Sequence, residues 1–356
     1  MTKYKNSKPN LIMTYISLST FTQRDINILS KNFNVKPYHF NTSSKLLLPI
    51  AFVKQFFYLF FHFNTIDLIV TQSSGYLSFI PVLFSKTFKK KIVIIAIGTD
   101  CAKLPEIKYG AHTKKILGWF TRFSFKHASL ILPVHKSLEQ SIYTYIDVAF
   151  PQQGIRSFVK DIKTPIVEIV NGYDTEKWKI IKEKRKENSF LTVSFATNKI
   201  GYFRKGIDMI IKAANLFPDY NFTIVGKVIL QEMCPKNVKL IDNVPQKELL
   251  NIYNNHQYYL QLSMFEGFPN ALCEAMLCGC IPIGSNVAGI PNIIGEKGYI
   301  LNRKNEESII SIFSNLKKNK FSPHEVRNQI ECNFPLKRRT KELTNILFDA
   351  LFDKAK

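Results

Sequence analysis

The sequence lacks the motifs of several common protein classes. Its six cysteines include no Cys-x-x-Cys pair and show no regular spacing, which argues against a disulfide framework and is typical of a reducing, cytoplasmic compartment. No Asp-x-Asp motif is present, and the seven histidines lack the spacing of metal ligands, so we expect neither a metal site nor a cofactor. No Gly-x-Gly-x-x-Gly follows the first predicted strand, so an NAD-binding protein is not favoured.

Long uninterrupted apolar runs are also missing. The most apolar stretch, residues 46–63, is broken by Lys54 and Gln55, whereas a membrane span needs ~20 apolar residues. We therefore expect a buried helix over residues 45–64. The N-terminus has a basic start but no clean signal-peptide core or small-residue cleavage site, and we interpret it as a leader into the first strand.

Acidic residues are scarce relative to basic ones. The chain carries 49 Lys and Arg against 27 Asp and Glu, a net charge of +22, and residues 1–170 alone carry 22 basic and 8 acidic residues. This balance indicates an anionic partner, such as nucleic acid, an anionic membrane surface or a phosphate-rich substrate. No helix-turn-helix, zinc or RNA-binding sheet motif is visible, so we do not expect nucleic acid.

What is present is a regular alternation of short apolar strands and helices. In the first half, strands are predicted at residues 11–17, 35–40, 67–71, 91–96 and 130–134, with helices between them and another at residues 137–146. The alternation predicts a parallel, doubly wound α/β sheet. Residues 150–158 have no clear interpretation as a helix or strand.

Residues 261–289 form the most informative stretch. An apolar strand is followed by a polar loop that carries Glu266, then by a helix over residues 271–278 with Asn270 as its N-cap, and then by a second buried strand. This order is one parallel crossover unit, which places Glu266 beyond the carboxyl end of a strand, where open α/β sheets bind ligands.

Two carboxylates flank the start of the predicted helix, because Glu274 lies in its second turn. A phosphate can bind at the N-terminus of a helix, while Glu266 and Glu274 accept hydrogen bonds from hydroxyls on either side. A phosphate between two polyols describes a nucleotide sugar. The alternative is that Glu274 is a solvated helix residue and Glu266 an ordinary loop charge.

Three motifs occur in an order that resembles a known family. EGFPNALCEAMLCG at residues 266–279 is similar to the E-x7-E segment of retaining glycosyltransferases of the GT-B, family-4 type, and Asn-Gly-Tyr-Asp at 171–174 and Arg-Lys-Gly-Ile-Asp at 204–208 agree with it. The resemblance implies two facing Rossmann-like domains with a cleft between them. It implies an acceptor-side domain over residues 1–170, a nucleotide-sugar domain over 171–335, and a C-terminal helix, 336–356, that packs back across the domains.

The resemblance also implies roles for individual residues. Lys205, which follows a predicted loop at residues 196–204, would bind the donor diphosphate next to Gly206, where the chain can approach a phosphate closely. Its basic partner is either Lys199, which has roughly the family's offset, or Arg204, which can form a bidentate contact. Glu274 would bind the ribose. Glu266 would hold the donor sugar together with the backbone of the loop, formed by Gly267, Phe268, Pro269 and Asn270.

On the acceptor side, the family has a His-Gly-Ser-Asp segment where this chain reads Ile97, Gly98, Thr99 and Asp100. Thr99 and Asp100 are candidates for contacts with the acceptor, although an Asp at this place can equally hold a turn. Because Ile97 stands in place of that histidine, the imidazole of the family has no counterpart at this position. A second departure is Asn292, which follows Pro291 where the family usually has Glu.

The resemblance predicts transfer of a sugar from a nucleotide sugar to a saccharide or lipid-linked saccharide, with retention, in the synthesis of a cell-surface polysaccharide or glycolipid. Two alternatives remain. One is a non-enzymatic binder of nucleic acid or anionic membrane surfaces; the other is a GT-B relative that is inactive or acts on sugar phosphates.

A basic and apolar segment at residues 111–128 bears on localisation. As one helix, it combines Lys114, Lys115, Arg122 and Lys126 with bulky apolar side chains and no acid. Such a helix can associate peripherally with an anionic membrane at its cytoplasmic face. The alternative is an ordinary core-facing helix with a solvated basic face.

Overall fold

Two parallel sheets organise the chain, in a computed structural model that describes residues 8–41, 44–230, 233–316 and 321–352. The first sheet has the order β2-β1-β3-β4-β5, with every pair parallel. Its central strands are buried on both faces, as expected for a sheet covered by helices. These strands are β1 (Asn10–Tyr15), β2 (Asn34–His39), β3 (Leu68–Gln72), β4 (Lys91–Ala96) and β5 (Leu130–Pro133).

Helices cover both faces of the first sheet. They are α1 (Thr20–Leu29), α2 (Leu48–Phe61), α3 (Tyr76–Phe88) and α4 (Lys115–His127). The strand order reverses between β1 and β3, so a crevice opens at the carboxyl ends of these two strands. The predicted strands and the doubly wound topology of this half are confirmed.

The second sheet has the order β10-β9-β8-β11-β12-β13 and is also parallel. Its strand order reverses between β8 and β11, so its crevice lies where β11 ends, just before Glu266. Its strands are β8 (Lys186–Val193), β9 (Asn221–Val225), β10 (Val238–Ile241), β11 (His256–Gln261), β12 (Ile281–Ser285) and β13 (Tyr299–Leu301).

The helices of the second half alternate with these strands. They are α6 (Lys199–Arg204), α7 (Ile207–Leu216), α8 (Gln246–Asn255), α9 (Asn270–Leu277), α10 (Ile290–Ile294), α11 (Glu306–Phe313), α12 (Pro323–Asn333) and α13 (Leu336–Leu351). Pro335 separates α12 from α13, so the C-terminal helix expected over residues 336–356 begins at Leu336 as predicted. Residues 353–356 of the predicted terminal helix lie outside the described residues.

The prediction of a helix at residues 137–146 is wrong. A short 3-10 turn, Lys136–Leu138, leads instead into β6 (Ser141–Ile142), which pairs antiparallel with β7 (Gln152–Gln153). The sequence SIYTYI is rich in β-branched and aromatic residues, which favour extended backbone. The uninterpreted stretch at 150–158 contains β7 and the short helix α5 (Ile155–Phe158).

The expectation that the apolar helix at residues 45–64 is buried is also wrong. In α2 only Gln55 and Leu59 are buried, and the Gln55 amide donates to the Leu77 carbonyl of α3 at 3.0 Å. Phe57 is 50% exposed and Phe61 79%. A helix that is apolar on all sides can bury only the side that faces a neighbour, and α2 lies at the edge of the helix layer. No helix in the described part of the chain is both long and apolar enough to cross a bilayer.

The predicted helix at residues 111–128 is divided in the structure. Residues Ala111–Thr113 form a 3-10 turn, and α4 begins only at Lys115. Lys114, Lys115 and Lys126 are exposed, Arg122 is half-buried, and Phe125 is fully buried. One face of α4 therefore packs against the core, while its basic residues lie at or near the surface.

Candidate functional site

The two sheets approach each other at two glycines. A Cβ atom on Gly98, which follows β4, would lie 3.2 Å from the backbone nitrogen of Gly267, and one on Gly267 would lie 2.4 Å from the Ile97 carbonyl oxygen. Only glycine permits this contact between the backbones of the two halves. The loop after β11 therefore faces the end of β4 directly, and the cleft between the halves opens beside it.

A cluster of opposite charges lies in this cleft. Glu266 Oε1 is 2.5 Å from Lys205 Nζ and 3.3 Å from Arg204 Nη1. Ser263 Oγ is also 3.3 Å from the same carboxylate oxygen. Burial tends to raise the pKa of Glu266, but the nearby charges of Lys205 and Arg204 outweigh it and hold the pKa below its ordinary value. Glu266 is therefore ionised at neutral pH.

The backbone next to Lys205 holds the cluster in place. Gly206 has a φ of +71°, and a Cβ atom there would lie 1.9 Å from the Leu262 carbonyl oxygen, so only glycine lets the chain pass this close to the end of β11. The Met264 amide also donates to the Arg204 carbonyl at 2.7 Å. These contacts bring Lys205 against the loop that carries Glu266.

The structure brings Arg204 rather than Lys199 to this cluster. The predicted loop at 196–204 is wrong: Asn198 caps the short helix α6 by accepting a hydrogen bond from the Gly201 amide at 2.8 Å. Lys199 begins α6 and is exposed, whereas Arg204 ends it, and its guanidinium lies 5.0 Å from the ring centroid of Tyr109.

The N-terminus of α9 points into the same cleft. The helix begins at Asn270, with Pro269 as its N-cap and no side-chain cap, so the prediction of Asn270 as the capping residue is wrong by one position. The Asn270 side chain instead accepts a hydrogen bond from the Tyr173 hydroxyl at 2.9 Å. The first amides of α9 thus have no side-chain acceptor within the described structure and are suited to an anion.

Glu274 is buried within α9, so the alternative of a solvated helix residue is wrong. Its side chain is 7% exposed, and burial raises its pKa to about 7, while the charges of Arg24 and Lys177 act in the opposite direction. It lines a cavity of about 440 Å³ that also contacts Asp174 and Gln246. Arg24 belongs to α1, so residues of both halves form this cavity.

Two further cavities complete the cleft. One, of about 330 Å³, is lined by Glu266, Lys205 and the four donor-loop residues Gly267, Phe268, Pro269 and Asn270. Another, of about 450 Å³, lies in the crevice of the first sheet and is lined by Thr99 and Asp100. Ser19 lines all three cavities. The predicted site residues, Lys199 aside, are therefore distributed along one cleft.

Asp100 has a structural role in this cleft. Its buried carboxylate accepts hydrogen bonds from the amides of Ser74 at 2.9 Å and Gly98 at 3.0 Å, so it holds the turn, as the alternative interpretation proposed. Thr99, in the same turn, is exposed, and its Oγ1 lies 2.8 Å from the Tyr109 hydroxyl oxygen. Thr99 is the more available of the two for a ligand.

The sequence did not reveal His135 and Arg24 as residues of the site. His135 follows β5, with its Nδ1 2.8 Å from Ser137 Oγ and its Nε2 3.3 Å from Asn292 Oδ1. Burial lowers its pKa. The position of His135 just beyond the carboxyl end of β5 is the sequence signal that could have indicated it, because α/β sheets bind ligands there. Within the described residues, no group of three or more His, Cys, Asp or Glu side chains is arranged to hold a metal ion.

Arg24 connects the two halves directly. Its Nη1 donates to the Gly172 carbonyl at 2.7 Å, and its guanidinium lies 5.0 Å from the centroid of the Tyr173 ring. No sequence signal indicated Arg24, because the contact depends on how α1 packs against a turn 148 residues away in the chain.

The second half of the chain matches a known family. Residues 176–333 match the model of the family described as Glycosyl transferases group 1. Over 168 residues the chain is 29% identical to a subunit of the human phosphatidylinositol N-acetylglucosaminyltransferase, with coverage of 41% of this chain and 34% of the human protein. The match thus spans about a third of that relative's length.

Solved structures extend the likeness in fold to the whole chain. Sucrose-phosphate synthase from Thermosynechococcus elongatus superposes with a TM-score of 0.76 at 12% identity, covering 98% of this chain and all of the other. Anabaena HepE in complex with UDP and glucose gives a TM-score of 0.68 at 12% identity, covering 96% and 99%. At such identities the likeness concerns the fold alone. The chain therefore has the GT-B fold, with a region over residues 176–333 that matches the group 1 glycosyl transferases.

Proposed function

We propose that this protein transfers a sugar from a nucleotide-sugar donor to an acceptor hydroxyl, with retention of configuration. The observation that carries the proposal is the cluster of Lys205, Arg204 and Glu266 beside the free N-terminus of α9. This arrangement places two cations and a helix dipole next to a buried carboxylate, in a cleft formed by both halves. A diphosphate joined to a sugar has the charge and the hydroxyls that such a site would bind.

Each part of the donor has a counterpart in the cleft. The ribose would lie at Glu274, in the cavity of about 440 Å³. The diphosphate would lie at the α9 amides, and the sugar at Glu266 and the loop of Gly267 to Asn270. Because Ser19 lines both cavities, one extended molecule can occupy them together.

The ion pairs of the free protein indicate what happens when the donor binds. Lys205 and Arg204 now neutralise Glu266. When a diphosphate arrives, both cations would turn toward it, and the Glu266 carboxylate would become free to accept hydrogen bonds from sugar hydroxyls. As the bond to the leaving group breaks, negative charge grows on the diphosphate, where Lys205, Arg204 and the α9 dipole stabilise it.

The acceptor would bind in the crevice of the first sheet. Its cavity of about 450 Å³ is lined by polar residues, among them Ser73 and Thr99, and by apolar residues, among them Leu48 and Leu77. This mixed lining suits a saccharide joined to an apolar carrier, and Leu48 begins the exposed helix α2. We infer that the acceptor is a saccharide or lipid-linked saccharide used to make a cell-surface polysaccharide or glycolipid.

We also infer that the protein acts at the cytoplasmic face of a membrane, as a peripheral protein that docks through its first half. Lys114, Lys115 and Lys126 are exposed around α4, and Trp119 is 50% exposed between them. Lysines near an anionic leaflet contribute ~1 kcal/mol each, so a few of them with one aromatic side chain support reversible docking.

A nucleotide panel tests the proposal. In thermal-shift measurements, UDP, GDP or another nucleoside diphosphate should stabilise the protein, because it binds only the folded state. Hydrolysis of nucleotide sugars, followed by mass spectrometry of a lipid extract incubated with the reactive donor, would then identify sugar and acceptor. A shift with DNA alone, lost at high salt, would favour the nucleic-acid binder, and nucleotide binding without hydrolysis or transfer would favour the inactive relative.

A further inference from the structure

A large cavity outside the cleft is strongly basic. This groove, of about 890 Å³, runs between α4 and the segment of residues 149–160, and four of its lining residues are cations: Lys103, Arg122, Lys126 and Lys160. Among the described residues that line it, none is Asp or Glu. Glu106 approaches the rim, where its carboxylate accepts a hydrogen bond from the Ala149 amide at 2.8 Å.

The cations of the groove have no carboxylate partner in the described parts of the chain. No ion pair to Asp or Glu is formed by Arg122, Lys126 or Lys160, and Lys103 Nζ lies 3.4 Å from the centroid of the Phe150 ring. Four unneutralised charges on the walls of one concave site repel one another. A bound anion would remove this repulsion, and the groove is large enough for a phosphate with its attached group.

An exposed apolar surface adjoins the groove. Trp119 lines the groove and also contacts Phe79 of α3, with ring centroids 5.8 Å apart. Phe79 in turn contacts Phe52 of α2 at 5.8 Å. Rings thus connect the groove to Phe52 of α2, and the same helix carries an exposed apolar stripe, formed by Ile50, Val53, Phe57, Phe60 and Phe61.

The basic groove and the exposed apolar stripe of α2 together favour one class of partner. A nucleic acid would match the cations but would leave the apolar stripe of α2 in water. A second copy of the chain would bring a half with 22 basic and 8 acidic residues against itself, which like-charge repulsion opposes. The surface of an anionic bilayer matches both features, because lipid phosphates lie directly above an apolar layer.

We infer that the groove between α4 and residues 149–160 binds the phosphate headgroup of a membrane lipid, while Trp119 and the stripe of α2 enter the outer part of the same leaflet. This inference goes beyond the proposed sugar transfer and assigns a phosphate site to the docking that is part of that proposal. Arg122, Lys126 and Lys160 hold the phosphate. Leu48 of α2 lines the crevice of the first sheet, so this crevice would then lie next to the membrane.

Trp119 reports on this site directly. The chain has two tryptophans; Trp119 is 50% exposed and Trp178 is 3% exposed in the donor cavity. The full chain is titrated with vesicles of phosphatidylcholine, with and without phosphatidic acid, and separately with inorganic phosphate. We expect a blue shift of tryptophan emission only with phosphatidic acid vesicles, competition by inorganic phosphate, and loss of the shift in Trp119→Phe.

A matched pair of variants distinguishes a specific phosphate site from non-specific electrostatic attraction to the membrane. Arg122→Ser with Lys126→Ser removes two charges from the groove, and Lys114→Ser with Lys115→Ser removes two exposed charges from the start of the same helix. Because the groove cations form charge-assisted hydrogen bonds to phosphate, the groove variant should weaken vesicle binding about tenfold more than the control. In both variants, stabilisation by a nucleoside diphosphate should be unchanged.

Three outcomes would overturn the inference. Equal weakening of vesicle binding in the two variants would show non-specific electrostatic attraction to the membrane and no phosphate site in the groove. Absence of binding to phosphatidic acid vesicles would exclude docking, even if inorganic phosphate alone altered the emission, because the groove would then be a site for free phosphate. Loss of the nucleotide response in the groove variant would show that the groove acts through the cleft. Absence of a nucleotide response in the wild type would count against the proposed transfer and not against the groove.

Discussion

Arg339 and Asp25 form a fully buried ion pair between the last described helix and the first. Arg339 Nε and Nη2 lie 2.8 and 2.7 Å from the two Asp25 carboxylate oxygens, and both side chains are 0% exposed. Nη1 of Arg339 also donates to the carbonyls of Ile169 at 3.1 Å and Val170 at 2.9 Å. The pair thus fixes α13, α1 and the chain segment between the two halves relative to one another.

Removing one member of this pair should destabilise the protein strongly. Asp25→Asn leaves a buried guanidinium without its counter-charge, which typically costs about 3–5 kcal/mol. Chemical unfolding measures the change in the free energy of unfolding. The double variant Asp25→Leu with Arg339→Met should lose less stability than Asp25→Asn alone, and a greater loss in the double variant would contradict this account of the pair.

The charge cluster gives a prediction with an internal control. Lys205→Ala and Arg204→Ala should each weaken binding of a nucleoside diphosphate by about 10- to 100-fold, since charged hydrogen bonds contribute ~1.5–3 kcal/mol. Lys199→Ala removes the same charge from the exposed start of α6 and should bind as the wild type does. Calorimetric titration of the three variants decides which residue partners Lys205. A loss in Lys199→Ala with none in Arg204→Ala would reverse the assignment.

Glu274 makes stability depend on pH. Its pKa is raised to about 7 by burial, whereas an unfolded Glu has a pKa of ~4.3. At a pH between the unfolded and the folded pKa, Glu274 is protonated in the folded protein but ionised in the unfolded chain. The contribution of Glu274 to the free energy of unfolding is therefore fully present below the unfolded pKa and is lost as pH rises through about 7. Glu274→Gln should therefore raise Tm relative to the wild type more at about pH 8 than at about pH 5.

The same substitution should impair donor binding, because the neutral amide of the Glu274→Gln variant would accept hydrogen bonds from the ribose less strongly than a carboxylate does. A variant that is more stable above neutral pH yet binds nucleotide more weakly would separate the two effects of Glu274. Unchanged Tm at both pH values would contradict the burial of an ionisable Glu274, and nucleotide affinity equal to that of the wild type would remove it from the donor site.

Sugar transfer should survive a strong chelator. Lys205, Arg204 and the α9 amides place positive charge where the diphosphate would lie, which is the contribution that a metal ion makes in other enzymes. The rate of donor hydrolysis with EDTA should match the rate without it. A complete loss that added Mg²⁺ or Mn²⁺ restores would show a metal requirement.

Local sequence signals predicted the parallel sheets well, because each buried strand is a short apolar run bounded by turn residues. These signals failed where the structure of a segment depends on the other segments that pair with it or pack against it. Within the segment at residues 137–146, Ser141 and Ile142 form a short strand because Gln153 and Gln152 are present to pair with them. The apolar helix α2 is exposed because the fold provides a neighbour for only one of its faces, and its sequence cannot show how many neighbours it will have.

In the candidate site, too, the sequence predicted the local motifs but not the contacts between the two halves of the chain. The motif around Glu266 and Glu274 and the Lys205-Gly206 pair are local, and the sequence predicted that they belong to one cleft. Arg24, Tyr109 and His135 reach the cleft from the other half of the chain, and their contacts depend on the orientation of the two sheets. The choice between Lys199 and Arg204 depended on a short helix, α6, in a stretch whose sequence pattern indicated a loop.

The central claim is that Lys205 and its neighbours bind the diphosphate of a nucleotide sugar for transfer. The most direct test is release of the nucleoside diphosphate from a panel of nucleotide sugars, in the presence of a lipid extract, by the wild type and by Lys205→Ala. We predict release from one donor by the wild type, and a rate lower by about tenfold or more for Lys205→Ala. Release at equal rates by both proteins, or from no donor, would contradict the account.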